Sequence, residues 1–132
     1  YASATLICAL VAASIGSSWT VVGTIGIGLM GIAINMELNP AIAAAAIISG
    51  SYFGDTTSPL SDSSNLAAAS AGVDLYTHIR ETALTSAISL VLALGVFYML
   101  GRPGDFDALE KLAAIESSFR PSAWMFLPLV LV

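Results

Sequence analysis

Charge is what this chain lacks. Only 10% of its 132 residues are Asp, Glu, Lys or Arg, where soluble domains carry about 25%. No charged side chain occurs from Tyr1 to Met36, and Glu37 stands alone before Asp55. Basic residues are scarcest: four Lys and Arg against nine acids leave a net charge of −5. With no basic patch, a nucleic-acid partner is excluded. The one cysteine, Cys8, excludes an intrachain disulfide and a cysteine-rich metal site, and reads as a small apolar packing residue. His78 is the one histidine and no GxSxG occurs, so nothing points to an enzyme. GTIGIG (23–28) has the order GxxGxG, with no strand before it and no acid at the expected distance, which excludes a dinucleotide loop. An initiator Met and a basic leader are also missing, so the first residues do not read as a signal peptide.

What fills the chain is apolar: 57% hydrophobic residues and a mean hydropathy of +0.88. This is the composition of a membrane protein. Residues 2–13 read as the end of a membrane helix. SIGSSWT (14–20) interrupts it, either as a bend with hydroxyls bonded back to helical carbonyls or as an unwound point. The apolar pattern resumes over Val21 to Met36, with glycines frequent enough for close helix packing. Asn39 and Pro40 suit an N-cap and first helical position. The Ala/Ile helix they open, Ala41 to Phe53, would cover about 20 Å, too short to cross a bilayer. It either ends at depth or continues past Gly54 as a broken helix, and Gly50 and Gly54 form a GxxxG pair. Asp74 caps a helix from Leu75 to about Leu100 and stands one turn from His78, close enough to pair. Thr82 to Gly101 is uncharged and long enough to span. After GRPG (101–104), an amphipathic surface helix is expected over 105–119 and a last, truncated span from 121. Arg102, Lys111 and Arg120 against Arg80 place the 101–120 connector in the cytoplasm by the positive-inside rule.

The chemistry gathers in residues 54–65, GDTTSPLSDSSN, between the Ala/Ile helix and the small-residue run LAAASAG (66–72). Two readings fit. In one, Asp, Ser and Pro are ordinary turn residues of a wet loop. In the other, a short helix, a polar break and a second short segment form a discontinuous or re-entrant membrane element that binds a cation. Hard cations take oxygen ligands, and Asp55, Ser58, Ser61, Asp62, Ser63, Ser64 and Asn65 supply carboxylate, hydroxyl and amide oxygens. An unwound backbone adds free carbonyls. The spacing lacks the alternating acids, central Gly and final Glu of an EF-hand. Carboxylates at membrane depth are costly and mark function. One that is protonated when empty and ionised when holding a cation supplies the minimum chemistry of antiport.

These residues carry a resemblance. GSYFGDTTSPLSDSSNLAAASAGVDLYTHIRET (50–82) resembles the signature stretch of the NhaC-type Na⁺/H⁺ antiporters of the ion transporter superfamily, and SIGSSWTVVGTIGIGLMGI (14–32) resembles the segment preceding it. The resemblance is strongest over 14–82. It implies an all-α fold: multi-pass transmembrane helices with interrupted segments, part of an inverted-repeat exchanger in the cytoplasmic (inner) membrane that trades Na⁺ for H⁺. Residues 1–132 then form a piece of one membrane transport domain, whose partners are the lipid bilayer and the remaining half of the same transporter. No cofactor is implied beyond the transported Na⁺ and H⁺. The family's GD and SPLSD elements fall on Gly54-Asp55 and Ser58 to Asp62, and its hydroxyl-Asn-Leu run on Ser63 to Leu66. Asp62 is the first choice for the carboxylate that exchanges Na⁺ and H⁺, with Ser61, Ser63, Ser64 and Asn65 as neutral ligands and Ser58 beside them. Asp55 is a second Na⁺ ligand or an accessory proton carrier. Ser17, Ser18 and Thr20 are lesser contributors from the earlier break. Two positions depart from the family pattern: Thr56 stands where a basic residue is common after the first Asp, and Ser63-Ser64 replaces Thr-Thr. The loss of a counter-charge at Thr56 opens an alternative on the same scaffold, an organic-acid exchanger of the malate/lactate type coupled to Na⁺ and H⁺.

Overall fold

A computed structural model describes residues 1–101, and these contain helices and no strand. The surface helix expected over 105–119, the span from 121 and the orientation drawn from Arg102, Lys111 and Arg120 lie outside the described residues. The elements are α1 (Ala2–Ile15), α2 (Ser18–Val21), a π-helical turn (Val22–Gly26), α3 (Ile27–Asn35), α4 (Pro40–Thr57), α5 (Asp62–Ala71) and α6 (Leu75–Leu100). Ser18–Asn35 runs as one unbroken helix. It and Leu75–Leu100 are long and apolar enough to cross a membrane.

Each helix end has a local cause. At Gly16 (φ 76) the backbone enters the left-handed region, and its N–H returns to the Ala12 carbonyl at 2.7 Å. Such a residue closes a helix, and only Gly does so without a Cβ penalty. Ser17 then caps α2, accepting from the Thr20 amide at 3.3 Å. The first break is thus an unwound point, not a bend. Asn39 caps α4 as its sequence predicts, with Oδ1 accepting from Ala41 at 3.0 Å and Ile42 at 3.4 Å. Asp74 Oδ2 caps α6 through the amides of Tyr76 and Thr77, at 3.0 and 3.1 Å. The expected Asp74–His78 pair does not form, because that carboxylate serves the helix end.

Helix α4 runs through Gly54 and Asp55 to Thr57, past the Phe53 end suggested by composition. Thr56 and Thr57 turn their hydroxyls back onto the carbonyls of Tyr52, Phe53 and Gly54, which lets polar residues remain helical. Pro59 stops the helix. It has no N–H to offer and holds Ser58 extended (φ −90, ψ 131).

Packing follows from glycine. A Cβ at Gly50 would collide with the Thr5 carbonyl, and one at Gly54 with the Ala9 carbonyl oxygen. One turn on, the Ser58 hydroxyl donates to the Ala13 carbonyl at 2.8 Å. The pairs 5/50, 9/54 and 13/58 advance together, so α1 and α4 run parallel in contact of backbone on backbone. The chain reverses at Gly16–Ser17, and α2–α3 runs antiparallel to α4: Ser18 meets Asp55, while Gly26 meets Ile47. Cys8, Ala12, Val21 and Ile47 form the buried apolar cluster where the three meet. Helix α6 packs along α4 and ends with Gly101 against the Tyr1 ring, so it runs antiparallel to α1.

The GxxxG pair therefore holds α4 to α1. Gly→Ala in a helix interior ordinarily stabilises by about 1 kcal/mol. Here the added methyl meets backbone that cannot step aside, and overpacking costs about 1–3 kcal/mol. Gly50→Ala and Gly54→Ala are each expected to lower the unfolding midpoint of the detergent-solubilised full-length protein. An unchanged or raised midpoint would refute the close packing.

Candidate functional site

The two breaks are in contact. A Cβ at Gly16 would lie 2.6–2.8 Å from the backbone of Leu60 and Ser61, so the 58–61 connection presses on the first turn with no side chain between. The C-terminal ends of α1 and α4 and the starts of α2 and α5 therefore converge.

Asp55 sits at this convergence. Oδ1 accepts from the Ser61 hydroxyl at 2.6 Å and Oδ2 from the Ser18 hydroxyl at 2.8 Å. The Ser61 contact is as short as a hydroxyl on a charged acceptor, and the Ser18 contact has the ordinary hydroxyl length. Both hydroxyls are buried, while Asp55 itself is partly buried. A carboxylate in the last turn of its own helix faces the unfavourable end of that dipole. Its partners are the N-cap of α5 and the first residue of α2, which lie at the favourable ends of theirs. No ion pair reaches Asp55 among the described residues; neutral hydroxyls alone hold it. Ser61 also lies 2.8 Å from the Ser63 hydroxyl, in a contact where either oxygen can donate. The Ser61 proton thus has a second acceptor beside the carboxylate.

A second set of side chains holds the backbone of the breaks. Ser58 donates to the Ala13 carbonyl and accepts from the Leu60 amide at 3.2 Å. The Ser64 hydroxyl donates to the Thr56 carbonyl at 3.2 Å, and Asn65 Nδ2 to the carbonyls of Pro59 (3.0 Å) and Ser61 (2.8 Å). The carbonyls of Ala13, Thr56 and Pro59 belong to helix ends and a turn, which lack intrahelical donors; that of Ser61 also accepts from the Asn65 amide at 3.0 Å. The free carbonyls expected of the unwound segment are thereby largely occupied, each by a nearby side chain.

The residues picked from the sequence thus divide. Asp55, Ser61 and Ser63 form one hydrogen-bonded group. Ser58, Ser64 and Asn65 staple the break. Asp62 occupies the first position of α5, exposed on this chain, with no side-chain hydrogen bond among the described residues. Ser17 and Thr20 bond each other at 2.9 Å and make no hydrogen bond to Asp55. Ser18, a lesser candidate in sequence, is a direct partner of the carboxylate. The only sign of it in the sequence is a hydroxyl just after each of two breaks, and nothing in the sequence says that the two breaks meet.

The chain matches the model of the Na⁺/H⁺ antiporter family over residues 1–101 and again over 50–123. It is similar to the Na⁺/H⁺ antiporter NhaC of Alkalihalophilus pseudofirmus, at 43% identity over 98% of this chain and 29% of that protein. It is similar to the arginine/ornithine antiporter ArcD of Halobacterium salinarum, at 38% identity over 97% of this chain and 28% of that one. It is likewise similar to the malate-2H⁺/Na⁺-lactate antiporter of Bacillus subtilis, at 35% identity over 96% and 28%. The chain therefore spans less than a third of the length of these relatives. No solved structure matches it.

Staples and carboxylate partners separate by experiment. Ser58→Ala leaves the part-buried Ala13 carbonyl without this donor, at a cost of about 1 kcal/mol. Hydrogen–deuterium exchange in the full-length protein is expected to quicken at the amides of 58–61 and at the end of α1. Unchanged protection there would show that the staple holds nothing.

Proposed function

The chain belongs to the Na⁺/H⁺ antiporter family, and from that premise we propose that it supplies the cation and proton site of a secondary transporter in the cytoplasmic membrane, exchanging Na⁺ for H⁺. The observation that carries this reading is the Asp55 carboxylate, held by Ser18 and Ser61 between the restarts of two broken helices. In the proton-loaded form the carboxyl is neutral, and a neutral group is the cheaper one in a low-dielectric surrounding. Na⁺ takes the proton's place when the carboxylate is ionised. The hydroxyls of Ser18 and Ser61 then present lone pairs instead of protons. Ser63 accepts the proton that Ser61 turns away, so the change needs no movement of the backbone. One carboxylate that cannot hold both ions at once couples their fluxes.

Asp62 takes a different part in this reading. At the exposed first turn of α5, it draws cations toward the site by its charge, outside the hydroxyl pair. The remainder of the full-length protein completes the coordination shell and the second side of the pathway. The breaks at 16–17 and 58–61 serve as interruptions of membrane helices. A low-dielectric site excludes the hydration that Na⁺ gives up, and the oxygen donors replace it.

The names of the relatives raise organic substrates, acids in one case and basic amino acids in another. Recognition of a carboxylate compound wants a cationic group or a helix N-terminus facing it. Arg80 is the one Lys or Arg among residues 1–101, and it lies exposed near the start of α6. Plain cation exchange is the reading these residues support.

The test is transport by the full-length protein in vesicles under an imposed pH gradient. Asp55→Asn keeps the shape and loses the charge, and is expected to abolish radiosodium uptake. Asp62→Asn is expected to raise the Na⁺ concentration needed for half-maximal rate while leaving exchange intact. Uptake retained by Asp55→Asn and lost by Asp62→Asn would transfer the exchanging role to Asp62.

A further inference from the structure

The helix that leaves the first break is out of register with itself. Ser18 faces α4 through Asp55, and an α-helix brings the same face round about every seven residues. Ile25 and Ile32 are therefore due on that face. Both are exposed instead, at 37% and 56%, and the buried residues are Gly26 and Ala33, each one place later. The shift arises in the π-helical turn Val22–Gly26, which takes up one extra residue. Its consequence is specific. The turn delivers Gly26 to Ile47, where even a Cβ would come within 2.9 Å of the Ile47 side chain. An isoleucine has no room there. Ser18 above the turn and Gly26 below it are both seated against α4, and only the extra residue lets both be so at once.

We infer that the π-turn is a register joint of the transport cycle: it stores one residue of slack between the part of the helix that holds Asp55 and the part locked onto α4. Moving that slack out through the Gly16–Ser17 turn converts π to α. It rotates Ser18 by about 100° and shifts it by about 1.5 Å along the axis. Gly26 and all that follows stay seated. The Ser18 hydroxyl then leaves Asp55, Trp19 turns from the surface toward the vacated place, and Ser61 is the one hydroxyl still on the carboxylate. The carboxylate thus has two partners in one register and one in the other, so the ion on Asp55 and the register of the helix bias each other. Small helix shifts of this kind are an established mode of switching. The backbone suits the conversion. Gly23 and Gly26 lie within the turn, and the space beside Gly23 is open on this chain. This inference rests on Asp55 being the exchanging carboxylate.

The test is deletion of Gly23 from the full-length protein. A one-residue deletion inside a packed helix ordinarily turns every later side chain off its face. Here it removes the slack and leaves an ordinary α-helix with Ser18, Gly26 and Ala33 all still facing α4. The deletion variant is expected to keep the parent's unfolding midpoint and the upward shift of that midpoint with NaCl over choline chloride, which reports Na⁺ binding. Its pH-gradient-driven radiosodium uptake is expected to fall to that of empty vesicles. Deletion of Leu29, beyond the turn, is expected to leave no folded protein. Undiminished uptake after Gly23 deletion would overturn the joint. Loss of folding or of the NaCl shift in that variant, or tolerance of the Leu29 deletion, would overturn the register reading. Failure of the Asp55 reading shows separately, as uptake and an NaCl shift both retained by Asp55→Asn.

Discussion

The structure depends on one close approach, backbone against backbone, where the turn at Gly16 meets the connection through Leu60 and Ser61. Two helices end there and two begin. Without help, about four peptide groups at each of those four helix termini would lack a helical partner. The surrounding Ser and Asn side chains are the help. They are short enough to bond the chain end beside them. The same hydroxyls then have a carboxylate, Asp55, within reach of two of them. Structure and site are therefore made from one set of residues, and Ser61 serves both as helix cap and as carboxylate partner.

Parallel packing of α1 on α4 puts the breaks at one level. Gly50 and Gly54 let α4 lie on α1 without side chains between, and the shared advance of the pairs 5/50, 9/54 and 13/58 carries that register to the breaks. The returning helix is held to the same level by Ser18 on Asp55 and by Gly26 on Ile47. Its π-turn reconciles those two contacts. Two glycines set distance and one irregular turn sets phase, and between them they decide which hydroxyls surround the acid. A membrane setting sharpens this, because lipid offers no hydrogen bond to a group left over.

Much was legible in advance. Scarcity of charge, the long apolar runs, the caps at Asn39 and Asp74 and the interruption at 14–20 all follow from local chemistry, and the helices stand where those signals put them. The family resemblance pointed to the stretch that holds the acid. One feature was left open and two were not legible. The sequence let helix α4 end at depth or pass Gly54, and it passes, because hydroxyls of Thr56 and Thr57 bond backward in a helix as readily as they form a turn. Asp74 left His78 alone, because a helix N-terminus is the nearer partner. Ser18 rose above Ser17 and Thr20, because its rank depends on a residue 37 positions away.

The sequence by itself determined that this chain is a helical membrane protein of the Na⁺/H⁺ antiporter family, and that polar breaks at 14–20 and 54–65 interrupt its apolar runs. Those properties are local: hydropathy, capping and breaking are decided within a few residues. Only the tertiary structure decided that the two breaks touch, that Asp55 and not Asp62 lies among the hydroxyls, and that Ser58, Ser64 and Asn65 hold backbone. These depend on the register between helices far apart in the chain. Glycine contacts and a one-residue π-turn set that register, and neither announces its partner in the order of the residues.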